Sequence, residues 1–80
     1  MFHTYVLRSE RDGRLYVGST SNLSKRIDEH NRGKVRSTKG RRPFSLVYRE
    51  EYENKIMARK REIFLKSGQG RLFLKAKLEE

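Results

Sequence analysis

The apolar residues of the chain occur in short clusters whose spacing predicts three β-strands. The runs Phe2 to Leu7 and Leu15 to Gly18 are rich in β-branched and aromatic residues, and Phe44 to Tyr52 is a longer run of the same kind. Between the first two runs, Arg11-Asp12-Gly13-Arg14 is a turn signal. Residues 2–18 are therefore predicted to form a β-hairpin.

The hairpin loop determines whether the two strand tyrosines share a face of the sheet. Paired residues point to the same face, so a two-residue turn at Asp12-Gly13 or a four-residue loop from Glu10 to Gly13 places Tyr5 and Tyr16 together. With the longer loop, Tyr5 pairs with Gly18, and the two rings are diagonal neighbours roughly 7 Å apart. A three-residue loop would place the tyrosines on opposite faces.

The helices are predicted from capping residues and from apolar positions three and four residues apart. They cover Leu23 to Asn31, Lys55 to Ser67 and Arg71 to Leu78. Ser19 to Asn22 supplies N-caps for the first helix and Asn54 caps the second, which Gly68 and Gly70 are expected to end through a left-handed cap. The expected core positions of the helices are Leu23, Ile27, Ile56, Met57, Ala58, Ile63, Phe64, Leu72, Phe73 and Leu78.

The element order β-β-α-β-α-α predicts an α+β fold, a three-stranded antiparallel sheet flanked by helices. Residues 1–80 are expected to form one small domain, and 34% hydrophobic residues are enough for one compact core. The chain lacks cysteine, which excludes disulfides and thiolate metal sites. It also lacks an apolar run of about 20 residues, the length that spans a bilayer. We therefore expect a soluble cytoplasmic protein.

The excess of positive charge is the strongest compositional feature. Twenty Lys and Arg against ten Asp and Glu give a net charge of +10, which attracts polyanions. No predicted helix has the bulky apolar face of a membrane-binding helix. DNA, or RNA, is therefore the expected partner, and a membrane is not.

The segment Arg32 to Arg42 contains six basic residues and no acid. We expect a mobile loop that binds phosphate or, alternatively, a solvated linker. The candidate nucleic-acid-binding residues are Lys25, Arg32, Lys34, Arg36, Lys39, Arg41 and Arg42.

Other residues have the chemistry that phosphodiester hydrolysis requires, namely a base for water and a cation for the phosphate oxygens. Arg26 and His30 are four residues apart and lie on one side of the first helix. Glu62 is the only acid of the two C-terminal helical segments. It either pairs with Arg59 or Lys66 on the helix surface or binds a metal ion, since Mg²⁺ is commonly held by one or two carboxylates.

The identity of the base is left open by the residues themselves. A tyrosine such as Tyr16 is almost wholly protonated near pH 7 and needs a nearby cation to lower its pKa. His30 competes with it, because the ordinary pKa of histidine lies near neutrality. Tyrosines on a small sheet are more often core or rim residues than catalysts, and His3 is expected only to cover the sheet edge.

These residues together resemble the GIY-YIG endonuclease family, and more narrowly its short stand-alone bacterial members. His3-Thr4-Tyr5 stands where the first triplet of the family falls, and Tyr16-Val17-Gly18 stands where the second does. The pattern continues through Ser19-Thr20, Asn22-Leu23, Lys25-Arg26 and Arg41 to Tyr48, and includes the helical Glu62. The resemblance covers essentially the whole chain.

The resemblance implies an endonuclease that hydrolyses DNA phosphodiester bonds, structure-specific or non-specific, in DNA repair or recombination. One Mg²⁺ or Mn²⁺ would be bound by Glu62, and Arg26 would hold the scissile phosphate. Tyr16 would activate water or assist in doing so. Tyr5 would contact the phosphate or the attacking water, with His30 as a nearby helper.

The chain departs from the family pattern in several places. His3 and Thr4 replace the glycine and isoleucine of the first triplet, and the asparagine that longer members carry after the glutamate has no clear counterpart. No DNA-targeting domain is attached, so little basis for sequence specificity is expected. The rival functions are a catalytically weak or inactive DNA- or RNA-binding module of the same fold, and a ribosome- or RNA-associated basic protein that binds through Arg32 to Arg42.

Overall fold

The computed structural model describes residues 1–79 and has the expected α+β architecture. The strands are β1 (Phe2–Ser9), β2 (Leu15–Thr20) and β3 (Phe44–Tyr52), and the helices are α1 (Leu23–Asn31), α2 (Lys55–Lys66) and α3 (Gly68–Leu78). The strands form one antiparallel sheet in the order β2-β1-β3. Among the described residues, no helix combines the length and the apolar character needed to cross a membrane.

The β1–β2 hairpin has the register of the longer loop. Tyr5 lies opposite Gly18 and Tyr16 opposite Leu7, and Ser9 donates its N–H to the Arg14 carbonyl at 2.9 Å, which leaves the four-residue loop Glu10 to Gly13. The turn is closed where Gly13 donates its N–H to the Ser9 carbonyl at 2.8 Å, with Gly13 at a φ of 73°. The prediction that the two tyrosines share a face is therefore confirmed.

The alternation of side chains along the strands divides the core into two layers, one on each face of the sheet. The layer under α1 contains Tyr5, Leu7, Leu23 and Phe44, with Tyr16 and Ile27 packed against it. The layer under α2 and α3 contains Val6, Val17, Leu65 and Leu74, with partly buried aromatic and aliphatic side chains around it. Candidate chemistry on the first face is thus separated from α2 by the thickness of the sheet.

The predicted core positions of α2 and α3 are partly wrong. The positions expected in the core but found exposed are Ile56, Met57, Ile63 and Leu72. The stripe that α2 buries instead consists of Ala58, Glu62 and Leu65. On α3 the buried side chain is Leu74. The hydroxyl of Thr4, on β1, donates to the Ala58 carbonyl at 2.7 Å and thereby docks this side of α2 on the sheet.

The prediction that Gly68 and Gly70 end α2 through a left-handed cap is also wrong. The helix ends at Ser67, whose backbone is extended (φ −76°, ψ 169°), and both glycines lie inside α3. Ser67 caps α3 by accepting the Gly70 N–H at 3.1 Å. Gly70 is buried because α3 crosses the end of α2 so closely that a Cβ would collide with the Phe64 carbonyl oxygen.

The segment Arg32 to Arg42 is not the open, mobile loop that its composition predicts. Lys39–Arg41 forms a short 3₁₀ helix, and the side chains of Val35 and Thr38 are buried. Ser9, at the end of β1, donates its hydroxyl to the Arg41 carbonyl at 2.6 Å. These contacts hold the segment on the body of the protein, because buried side chains and paired carbonyl groups resist local opening.

We expect Gly70→Ala to lower the free energy of unfolding by about 1–3 kcal/mol, because the added methyl group must push α3 away from α2. The matched control is Gly68→Ala, since a Cβ at Gly68 meets nothing within 4 Å. The control should change stability by less than about 1 kcal/mol, or raise it. Urea unfolding at constant pH measures both. Equal effects of the two substitutions would contradict this account of the helix crossing.

Candidate active site

The helix α1 carries two of the candidate residues to the face of the sheet that bears the tyrosines. Its N-terminus is capped by Asn22, whose side chain accepts the Lys25 N–H at 3.2 Å. Leu23 packs into the core of this face and sets the rotation of the helix. Arg26 and His30, one turn apart, therefore point towards Tyr5.

Tyr5, Tyr16 and His30 form a compact group of rings. The Tyr5 hydroxyl lies 2.9 Å from His30 Nε2, and both side chains are buried, with 1% and 0% of their surfaces exposed. The ring centroids of Tyr5 and Tyr16 are 6.4 Å apart, and those of Tyr16 and His30 are 4.9 Å apart with the planes edge to face. Edge-to-face packing of this kind is favourable for aromatic rings.

Gly18 makes room for Tyr5 on this face. A Cβ placed at Gly18 would lie 2.5 Å from the Tyr5 hydroxyl oxygen, which is a collision. The absence of a side chain on Gly18 therefore lets the phenol lie across β2 and reach the far end of the strand.

Burial and charge determine the protonation states of this group. Burial raises the pKa of the Tyr5 phenol to about 12, although the guanidinium of Arg26 beside the hydroxyl opposes the shift. Burial also lowers the pKa of His30 to about 4, and the positive charge of Arg26 lowers it further, while Glu29 opposes this. Both Tyr5 and His30 are consequently neutral at pH 7. Arg26 itself is half-buried and pairs with Glu29 at 3.2 Å.

Glu62 reaches the same end of β2 from the other face of the sheet. One carboxylate oxygen accepts the Ser19 hydroxyl at 2.6 Å and lies 3.4 Å from Arg59, and the other accepts Lys66 Nζ at 2.8 Å. The residue is only 5% exposed. Burial alone would raise its pKa, but the hydrogen bonds from Lys66 and Ser19 hold the pKa of Glu62 below its ordinary value.

Ser19 is a site residue that the sequence reasoning missed as a partner of Glu62. It follows Gly18 directly, so its side chain points to the α2 face while Gly18 faces Tyr5. A register prediction for β2 combined with the isolated acid of α2 could have indicated the Ser19 contact.

A surface depression lies where β2 runs into α1. It has a volume of about 280 Å³ and is lined by Ser19, Thr20, Ser21, Asn22, Lys25, Arg26 and Glu29. Arg26 and Lys25 are the two basic residues of this lining, and the hydroxyl groups around them are suited to an anion. The depression, the ring group and Glu62 therefore meet at the C-terminal end of β2.

Apart from Lys25, which lines the depression, the candidate nucleic-acid-binding residues lie outside this centre. Most of them are exposed, namely Lys25, Arg32, Lys34, Arg36, Lys39 and Arg42. Arg41 differs, because it is half-buried, pairs with Asp12 at 3.1 Å and lies over the ring of Phe44. Arg32 pairs with Asp28 at 2.8 Å on the surface of α1. Arg41 is thus engaged in the fold, whereas the others can reach a polyanion.

The carboxylate of Glu62 suits one hard divalent cation and not a multi-residue metal cage. Among residues 1–79, no group of three or more His, Cys, Asp or Glu side chains is placed to hold a metal ion. Mg²⁺ is nevertheless commonly bound by one or two carboxylates, with water and substrate phosphate completing its ligands. Lys66 and Arg59 are exposed at 52% and 65%, so both can withdraw from Glu62 while Ser19 still holds it in place. The residues present therefore fit such an ion.

Comparison with known proteins bears out the resemblance. Residues 1–75 match the family model described as the GIY-YIG catalytic domain. A UPF0213 protein of Clostridium perfringens is 46% identical over 67 residues, which cover 82% of this chain and 71% of the relative. A UPF0213 protein of Staphylococcus aureus is 47% identical over 64 residues, which cover 79% of this chain and 77% of the relative.

A solved structure supports the same conclusion for the fold. The solution NMR structure of the UPF0213 protein BH0048 from Bacillus halodurans matches with a TM-score of 0.57 and 32% sequence identity. The match covers 95% of this chain and 84% of that protein.

We expect the imidazole of His30 to stay neutral well below the ordinary histidine pKa of about 6.5. The unfolded chain takes up this proton near pH 6.5, whereas the folded protein does so only at about pH 4. The stability that a neutral His30 contributes is therefore fully present above about pH 6.5 and is lost as the pH falls towards 4. An NMR titration of the His30 ring measures this.

The control for this titration is His30→Gln, which has no titrating group at the position. The difference in unfolding free energy between wild type and variant isolates His30, because the carboxylates titrate in both proteins. A His30 midpoint near 6.5, or a difference that does not depend on pH in this window, would contradict the prediction.

Proposed function

Because the chain belongs to the GIY-YIG family, we propose that it is an endonuclease that hydrolyses DNA phosphodiester bonds with the help of one Mg²⁺ or Mn²⁺. The observation that carries the proposal is the meeting of three groups at one end of β2. Arg26 lines the depression there, Tyr5 lies beside Arg26 with the ring of Tyr16 6.4 Å from its own, and Glu62 approaches from the opposite face.

Arg26 is proposed to bind the scissile phosphate. A guanidinium can donate two parallel N–H groups to non-bridging oxygens and offset the charge that develops on them in the transition state. The pairing of Arg26 with Glu29 holds the side chain at the depression before substrate arrives. Lys25, on the same lining, adds positive charge for the adjacent backbone.

Tyr16 is proposed to activate or assist the attacking water. Its side chain is half-buried, whereas Tyr5 is almost fully buried and has a pKa raised to about 12. His30 is a poor base towards water, because it is buried, has a pKa of about 4 and is already paired with Tyr5. Tyr5 is proposed to contact the phosphate or the water.

Glu62 is proposed to hold the divalent ion. When bound, such an ion supplies positive charge next to the phosphate and the leaving oxygen. Ser19 keeps one carboxylate oxygen of Glu62 directed to the end of β2, so the residue needs no rearrangement of its own to face the substrate.

The exposed basic side chains are proposed to bind the phosphate backbone of DNA, and RNA is not excluded by their chemistry. Contacts to phosphate position a nucleic acid but carry no base sequence. We therefore propose cleavage that is structure-specific or non-specific.

A second candidate function is a DNA- or RNA-binding module of the same fold with weak or no turnover. The observation that favours it is the engagement of both carboxylate oxygens of Glu62 by Lys66 and Arg59. These ion pairs compete with a metal ion, and displacing them reduces the affinity of the site for it. The cleavage assay below distinguishes the two functions.

Labelled single-stranded, duplex and branched DNA should be incubated with the purified protein, with and without Mg²⁺ or Mn²⁺. We expect metal-dependent cleavage of at least one substrate. Glu62→Gln and Arg26→Ala should each lower the rate about a hundredfold or more. The first removes the proposed ligand of the divalent ion, and the second removes the cation proposed to bind the phosphate.

The matched controls are Glu53→Gln and Arg11→Ala, which remove the same charges from exposed positions away from α1 and from the C-terminal end of β2. Both controls should cut at the wild-type rate. The enzyme proposal fails if wild type cuts none of the substrates, or if Glu62→Gln and Arg26→Ala cut as fast as wild type. Retained DNA affinity without cleavage would favour the binding module.

The basic segment should determine much of the salt dependence of DNA binding. In Lys34→Gln/Lys39→Gln, the slope of log affinity against log salt should decrease by up to about 0.9 for each lost phosphate contact. The matched control, Lys60→Gln/Lys77→Gln, removes equal charge from α2 and α3. Fluorescence anisotropy across several salt concentrations measures the slopes. Equal slopes for the two double variants would show that net charge, and not this segment, determines binding.

A further inference from the structure

Thr38 forms the inner end of a buried chain of hydrogen bonds that leads to Tyr5. It belongs to the basic segment, yet none of its surface is exposed. Its hydroxyl oxygen lies 2.8 Å from His30 Nδ1 and 3.4 Å from the Val35 carbonyl oxygen. The other ring nitrogen of His30, Nε2, lies 2.9 Å from the Tyr5 hydroxyl.

The hydrogen positions in this series of hydrogen bonds follow from the donor and acceptor groups at its two ends. At one end, the Thr38 hydroxyl is within hydrogen-bond distance of the Val35 carbonyl, which can only accept; a hydrogen donated there leaves the Thr38 oxygen to accept from His30 Nδ1. At the other end, Arg26 beside Tyr5 can only donate, so the Tyr5 hydrogen is directed to His30 Nε2. A neutral imidazole carries one N–H, and both ends place it on Nδ1.

We propose that Thr38 is a positioning residue that selects the Nδ1-protonated tautomer of His30 and thereby orients the Tyr5 hydroxyl. The consequence for catalysis rests on the proposed nuclease function. With its hydrogen held by His30, Tyr5 presents oxygen lone pairs to the site. Such a hydroxyl can accept a hydrogen from water but cannot donate one to a phosphate oxygen. Of the two contacts open to Tyr5, the tautomer thus favours the attacking water.

The competing arrangement is specific and distinguishable. If Thr38 donated to Nδ1, then Nε2 would carry the hydrogen and donate to the Tyr5 oxygen. The Tyr5 hydrogen would then face Arg26, a group that has no acceptor atom. The hydrogen bond that a buried hydroxyl requires would be missing, at a cost on the scale of an unsatisfied buried polar group.

The test is the tautomer of His30, read by long-range ¹H–¹⁵N NMR at pH 7 on protein labelled with ¹⁵N-histidine. We expect a protonated Nδ1 and an unprotonated Nε2 in wild type and in Thr38→Ser, which keeps the hydroxyl. Thr38→Val keeps the shape but removes the acceptor, and should shift the population towards Nε2–H. Ser37→Ala, at the exposed neighbouring position, is the control and should leave the tautomer unchanged. A His3→Gln sample assigns the two imidazoles.

The proposal is overturned if wild type carries the hydrogen on Nε2, or if folded Thr38→Val retains the wild-type tautomer. Should Thr38→Val fail to fold, wild type and Thr38→Ser still decide, because both must show Nδ1–H. The tautomer is measured without substrate. A lack of nuclease activity would therefore contradict the proposed function without affecting this result.

Cleavage kinetics provide a second reading where wild type is active. Thr38→Val should lower kcat on the order of 10- to 100-fold, as observed for partners that orient functional histidines, with KM little changed. Thr38→Ser should restore kcat. A rise in KM without a fall in kcat, or a kcat that Thr38→Ser does not restore, would assign Thr38 a structural role and contradict the proposal.

Discussion

The hydrogen bond between the Tyr5 hydroxyl and His30 Nε2 joins the sheet to α1 through two side chains that are almost fully buried. Leaving either group unpaired there would cost about 1–3 kcal/mol, so α1 must lie where the bond can form. The position of α1 in turn carries Arg26 to the edge of the phenol, requires glycine at position 18 beneath it, and leaves Nδ1 of the ring to be satisfied by Thr38. The arginine of the site and the basic segment are both located by this one buried contact.

Two successive residues of β2 connect the halves of the site. Gly18 faces α1 and admits Tyr5, whereas Ser19 faces α2 and holds Glu62. A strand turns successive side chains to opposite faces, so the end of one strand can bring together groups from the two faces of the sheet. The carboxylate and the phenol therefore lie at the same end of β2 although they belong to opposite faces of the sheet.

The wrong core assignments on α2 have a physical cause. The face that α2 buries carries Glu62 between Ala58 and Leu65, whereas Ile56 and Ile63 lie on the exposed side. A prediction based on apolar positions does not select a helix face that contains an acid, because burial of a carboxylate is costly unless it is paired. Here Ser19 and Lys66 pair it. The buried Glu62 therefore interrupts the apolar stripe by which the core-facing side of α2 would be predicted.

The sequence alone predicts the strands, the caps at Asn22 and Asn54, and the row formed by Arg26 and His30. These features depend on neighbours within a few residues along the chain. The hairpin sequence predicts that the two tyrosines share a face if the loop has an even number of residues. The register of the folded hairpin selects the longer loop. The burial of Thr38, the crossing of α3 at Gly70 and the contact of Ser19 with Glu62 are decided only when distant surfaces meet. At that point the cost of an unpaired polar group or a colliding methyl determines which side chains lie inside.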